Sequence, residues 1–207
     1  MSFNSGYRGA VGSAGSVQTS YNDHPALGIP GMLAFASDSR KIDTILIGET
    51  NGIAAGRGVK LTAILPGTAE YQVPSVAAYL PSGSEVLADF GGILIFDEAI
   101  QSDENGVPGW ANGRAGRILK PYAEGGRIYI KAREAIAIGD SVNWVIAAPA
   151  DESYELGEFA PSALGGGAAG TSVVISTDIA RWIKGASADG DVAILEFLGT
   201  FSAPIVS

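Results

Sequence analysis

The chain has 207 residues, 46% of them hydrophobic and 17% charged, which is enough apolar material for one domain with a sizeable core and too much for a globally disordered chain. A formal charge of −9 and a pI near 4.5 disfavour a general nucleic-acid binder, which needs clustered cations to displace counterions from phosphate. Cysteine is absent, removing disulfides, thiolate metal sites and cysteine nucleophiles, and no apolar run is long enough to span a bilayer.

Residues 1–20 are rich in Gly and Ser, with only Phe3, Tyr7, Val11 and Val17 scattered among them. They lack a periodic apolar face and are expected to form a flexible arm. Residues 21–31, YNDHPALGIPG, are different in kind. Pro25 and Pro30 fix φ near about −65°, remove two amide donors and push His24 and Ile29 toward extended backbone, so a helix is not expected. Gly28 and Gly31 allow positive φ or the close approach of another backbone. Such a ribbon suits an extended peptide lying on another molecule; it equally suits an entry into the protein's own first strand.

Beyond the ribbon, residues 32–36 and 42–47 read as short strands, with Asn51-Gly52 as a turn. Residues 59–65 continue the pattern, and Pro66-Gly67 closes it. Residues 73–80 form a strand candidate interrupted by Pro74, followed by a turn at 81–83. After Gly91-Gly92, residues 93–96 are apolar throughout, as in a strand covered on both sides. Residues 101–117 turn polar and glycine-rich around Pro108 and Trp110, the signature of an excursion from the main domain.

Residues 127–131 alternate Ile128 and Ile130 against Arg127, Tyr129 and Lys131, a two-residue period that buries one face and wets the other. Residues 141–147, containing Trp144, resume as a strand after Gly139-Asp140, and the two runs are expected to form a hairpin-like pair in the core. Residues 151–170 are loop-rich and 171–176 β-branched. Residues 179–184 admit either a short helix capped by Thr177 and stopped by Gly185 or a strand carrying Trp182. Residues 192–198 are the clearest final strand, and 200–207 form a tail. Many short strands with Gly/Pro punctuation predict an all-β fold, a single barrel- or sandwich-like domain over residues 21–207 with an extended N-terminal arm.

Catalytic patterns are weak. His24 is the sole histidine, lies in the proline-rich ribbon and has no Gly-x-Ser-x-Gly elbow to accompany it; one histidine also cannot build a multi-histidine metal centre. Asp97-Glu98, Asp103-Glu104 and Asp151-Glu152 are sequence neighbours that would point to opposite faces of a strand, so each pair is a poor acid/base dyad and better read as solvated loop charge. Gly165, Gly167 and Gly170 satisfy G-x-G-x-x-G, but a strand former follows where a dinucleotide site needs a helix. Trp144 and Trp182 fall in strand-like runs and are expected in the core. Trp110, in the polar stretch, is the candidate contact residue. No cofactor or metal is expected.

The series Tyr21, Asn22, Pro25, Ala26, Leu27, Gly28, Pro30 and Gly31 is similar to the opening of the tailed-bacteriophage structural cement (capsid decoration) proteins. Residues 126–142, GRIYIKAREAIAIGDSV, resemble that family's strand, small turn and Gly-Asp step, and Ala180, Arg181 and Trp182, followed by Gly190 and residues 192–197, resemble its closing strands. The long Gly/Ser leader and the acidic stretch around Asp103 depart from the family pattern.

The resemblance implies a non-enzymatic protein on the outer surface of a virion, made in the host cytoplasm, with the major capsid protein as its partner and neither nucleic acid nor membrane bound. The capsid-binding residues would be Tyr21, Asn22, Pro25, Leu27, Gly28, Ile29, Pro30 and Gly31 of the ribbon, joined by Trp110, which its place in the polar stretch, not the resemblance, nominates. Homo-oligomers, a trimer in preference to a dimer, would multiply weak contacts. The competing readings are a receptor- or glycan-binding β module using the loops around Trp110 and Tyr154, and a carboxylate-dependent hydrolase.

Overall fold

Five of the apolar runs close on one another through backbone hydrogen bonds and leave no free edge among themselves. They are β1 (Ile42–Ile47), β3 (Gly58–Ala63), β4 (Val76–Tyr79), β5 (Phe90–Leu94) and β8 (Ala115–Leu119), joined in the barrel order β1-β4-β3-β5-β8. The β1–β4 contact is parallel, with Leu46 opposite Ala77, and the others are antiparallel. Closure removes the unpaired edges that an open sheet would expose. The computed structural model describes residues 28–34, 42–63, 76–96, 101–102 and 108–199. Among these there is no α-helix, and the fold is all-β, as expected.

The remaining strands form three small sheets. One is β2 (Ile53–Ala54), β7 (Pro108–Trp110) and β6 (Gln101–Ser102), in the order β2-β7-β6. The second places β10 (Val142–Ala147) between β11 (Phe159–Ala160) and β12 (Thr171–Ile175), and the third places β14 (Val192–Phe197) between β13 (Ala180–Lys184) and β9 (Gly126–Lys131).

Alternation between Ile93 and Leu94, together with the register shift between β3 and β5 that resets Phe90, explains how the barrel and the sheets share a core. Leu94 packs inside the barrel with Ile45, Ile47, Val59 and Ile118, whereas Phe90 and Ile93 belong to the cluster built by β9, β10, β13 and β14. The Phe90 ring meets Trp144 edge-on at 5.1 Å and Phe159 at 6.1 Å, and it lies 6.2 Å from Phe197. These aromatic contacts add to the area they bury, by about 0.5–1.5 kcal/mol each. The strand covered on both sides is real, and Gly91 and Gly92 lie inside it instead of ahead of it.

Three expectations are corrected. Residues 101–117 are not an excursion as a whole: β8 is a barrel stave, and its register runs from Ile42 opposite Leu119 to Leu46 opposite Ala115. Its small residues hid it, because Gly116 faces Ile47 and Ile45, where an added Cβ would sit 3.0 Å from Ile47 Cδ1. The runs at 127–131 and 141–147 are both core strands but do not pair. β9 pairs with β14 and β10 with β11 and β12, while the chain between them is diverted by a bridge from Ile136 to Ala186. The loop-rich stretch 151–170 also contains β11 and the buried Glu158. For residues 179–184 the strand prevails over the helix, and Trp182 is buried.

Candidate functional site

The described end of the proline-rich ribbon, residues 28–31, and the residues 32–34 that follow it are seated on the open edge of β9. Gly31 N–H donates to Tyr129 O (2.7 Å), Tyr129 N–H to Met32 O (2.9 Å) and Ala34 N–H to Arg127 O (2.9 Å), with Leu33 bridging Ile128. Phe96 N–H donates to Gly31 O (2.8 Å). The ribbon therefore serves as a strap between the sheet and the chain leaving β5.

Its local shape follows from its sequence. Met32 N–H donates to Ile29 O (2.9 Å) across Pro30 and Gly31, and Gly31 has φ +83°, the arrangement of a type II turn with Pro and Gly at its centre. A Cβ on Gly31 would lie 2.6 Å from Gly56 N and 2.7 Å from Ala55 Cβ, and one on Gly28 (φ +84°) would lie 2.3 Å from the Tyr129 ring. Only glycine fits either seat. The turn leaves its two flanking apolar side chains outward, Ile29 at 42% exposure and Met32 at 41%.

Beside the ribbon lies the outer face of the β13–β14–β9 sheet. Strand register sets Arg181, Glu196 and Arg127 in one cross-strand row. Glu196 Oε1 accepts from Arg127 Nε (2.7 Å), and Oε2 accepts from Arg181 Nε (2.9 Å) and Nη2 (2.7 Å). Burial pushes the Glu196 pKa up, but the two guanidinium groups outweigh it and hold it below the ordinary carboxylate value. The next rows bring Ile194 against Tyr129 and Val192 against Lys131, with Lys184 also opposite Ile194. An open groove of about 640 Å³ runs between the ribbon, at Gly28, Ile29 and Pro30, and the sheet end, at Lys131, Lys184 and Asp191.

The other sequence candidates separate cleanly. Tyr21, Asn22, Pro25 and Leu27, together with His24, Asp97-Glu98 and Asp103-Glu104, lie outside the described residues. Trp110 is half-buried: it packs against the barrel core, and its Nε1–H donates to Ile95 O (3.0 Å). Trp144 and Trp182 are core residues. Tyr154 is buried and its hydroxyl donates to Glu134 (2.5 Å). Asp151 and Glu152 are exposed on a turn, and the Gly165–Gly170 pattern leads into β12.

Two ionic clusters were not anticipated. Arg57 and Arg133 enclose Glu155 and the buried Glu158, linking the β2–β3 turn to the chain before β11. Glu85 accepts from Lys60 Nζ (2.6 Å), Ser82 Oγ (2.7 Å) and the amides of Ser82, Gly83 and Ser84. Burial pushes its pKa up, but these donors prevail and bring it from 4.5 to about 2. The only hint in the sequence is the Ser-Gly-Ser-Glu turn, whose amides can converge on a carboxylate. Among the described residues no group of His, Cys, Asp or Glu is arranged to hold a metal ion.

The family model described as structural cement protein (E217 gp24/Pam3 gp6) matches residues 17–198. The chain belongs to that family. No curated protein matches it. A chain in the solved structure "The capsid of Myoviridae Phage XM1" has a similar fold, with a TM-score of 0.53 at 14% identity over 92% of this chain and 99% of that one. This cement-family protein is thus a structural component of phage particles, with the all-β fold and the ribbon described above.

Proposed function

We propose that this protein decorates the outside of a tailed-phage capsid and braces neighbouring major capsid subunits, acting by adhesion without catalysis. Family membership carries the proposal. The ribbon geometry supports it: a turn anchored on the protein's own sheet holds Ile29 and Met32 outward, so apolar contact area is offered on a rigid mount. Residues 21–27 would continue from this anchor onto the shell, residues 1–20 would act as an arm, and residues 21–207 would form one β domain. Symmetric copies, as trimers, would multiply individually weak contacts.

The test is co-sedimentation of the purified protein with undecorated capsids, followed by challenge with heat or chelator. Saturable binding that raises the capsid's disruption temperature is expected, and it should weaken when residues 1–27 are deleted while the circular-dichroism spectrum is retained. Absence of binding under conditions that support virion assembly would reject the proposal. Glycan binding lost on Trp110→Phe, in protein that ignores capsids, would favour the receptor-binding reading instead.

A further inference from the structure

The charge distribution of the protein is uneven in a way that its total of −9 conceals. Among the described residues on the outer face of the β13–β14–β9 sheet and at its groove, four cations, Arg127, Lys131, Arg181 and Lys184, stand with two carboxylates, Glu196 and Asp191. Of the two, only Glu196 is withdrawn from an incoming cation; Asp191 is exposed. Glu196 is buried beneath its two arginines, and Asp191 Oδ2 accepts from Ser187 N–H (2.9 Å), Ser187 Oγ (2.5 Å) and Ala188 N–H (3.2 Å). Four cations against these two carboxylates and the exposed Asp189 of the same turn leave the described part of this face net positive on an acidic protein. Apolar surface is interleaved with the charge: Ile194 and Val192 lie between the cations, and Ile29 forms the groove's far wall.

We propose that this face, together with the 28–32 turn along its edge, docks onto an acidic, partly apolar patch on the outward surface of the shell subunit. The inference rests on the capsid-decorating role and names the surface that performs it. Charge complementarity defines the chemistry of the partner, because a positive patch on a negative body orients the protein during encounter and repels the rest of its surface from the same target. Continuity with the ribbon selects the shell in preference to a second copy, since Gly28, Ile29 and Pro30 form one wall of the same groove. The buried Glu196 holds Arg127 and Arg181 in fixed positions, so they bind without first being ordered.

The experiment compares wild type, Lys131→Glu, Lys184→Glu, the double variant and Arg114→Glu in quantitative binding to undecorated capsids across a salt series. Lys131 and Arg114 are both exposed, so the two single reversals impose the same charge change at different places. The double variant is expected to bind at least about tenfold more weakly and to lose most of the salt dependence, while Arg114→Glu binds as wild type does. Unchanged circular dichroism and unfolding midpoint establish that the variants are folded.

If wild type binds and the double variant binds equally well, this docking face is wrong and the decorating role stands. If wild type itself fails to bind, the decorating role fails. Light scattering that shows the double variant dissociating an oligomer of wild type in the absence of capsids would make the partner a second copy and overturn the assignment to the shell. Retardation of duplex DNA by wild type but not by the double variant would overturn it in favour of nucleic acid.

Discussion

Replacing Gly31 with alanine probes the strap that ties the ribbon to the domain. Two costs add. At φ +83° an L-residue with a Cβ is strained by about 1–2 kcal/mol, and a methyl group 2.6 Å from Gly56 N and 2.7 Å from Ala55 Cβ overpacks the seat by a further 1–3 kcal/mol or so. The atoms in the way are backbone and a Cβ, which cannot rotate aside. Gly139→Ala separates the terms, because Gly139 also has positive φ (+102°) but nothing lies within 4 Å of the added methyl.

Urea denaturation followed by tryptophan fluorescence should therefore show Gly31→Ala losing roughly 2–5 kcal/mol and Gly139→Ala only about 1–2. Hydrogen exchange adds position. The amides of Gly31, Tyr129 and Phe96, which close the strap, should lose protection in Gly31→Ala, while those of β10 keep theirs relative to global stability. Equal losses in the two variants, or unchanged protection at Tyr129 and Phe96, would refute the reasoning that the ribbon is locked by close backbone packing.

Three further outcomes follow from the same geometry. Glu196→Ala leaves Arg127 and Arg181 facing each other without their shared carboxylate and should cost roughly 1–3 kcal/mol in urea unfolding, between the exposed-pair and buried-pair ranges because Arg181 is 57% exposed. Glu85, whose pKa is depressed from 4.5 to about 2, contributes stability that is complete above its unfolded value and is lost as pH falls toward 2. Wild type should lose about 3 kcal/mol more than Glu85→Gln across that window, measured by unfolding at a series of pH values. Trp110→Phe removes the bond to Ile95 O and part of the ring and should cost about 1–2 kcal/mol, whereas Trp110→Ala empties its place against the barrel and should cost roughly 2–4 kcal/mol, both read from denaturation midpoints.

The all-β class was legible because β1, β9, β10, β12 and β14 carry β-branched or alternating runs long enough to identify themselves. What stayed hidden was pairing. β9 and β10 are consecutive and look like a hairpin, yet each finds its partners far along the chain, and nothing in the local pattern of either strand encodes that choice. β8 escaped for a different reason: Gly116 is small because the barrel wall at Ile45 and Ile47 leaves little room, and Ala115 is exposed, so the start of the strand carries no apolar signal.

The site was legible in part. Pro30-Gly31 announced a turn, and the two glycines announced a close approach. That the surface approached would include Tyr129, Ala55 and Gly56 of the same chain required the fold. The cationic face was invisible for the same reason, since Arg127, Arg181, Lys131 and Lys184 are brought together only by the register of β9, β14 and β13.

An image of the intact virus particle, at a resolution that traces side chains, addresses the decorating role most directly. The expected result is this chain on the outside of the shell, with Ile29, Met32 and the Lys131–Lys184 groove against capsid subunits. Finding it inside the shell, or outside with that turn and groove turned toward solvent, would contradict the proposed mode of attachment.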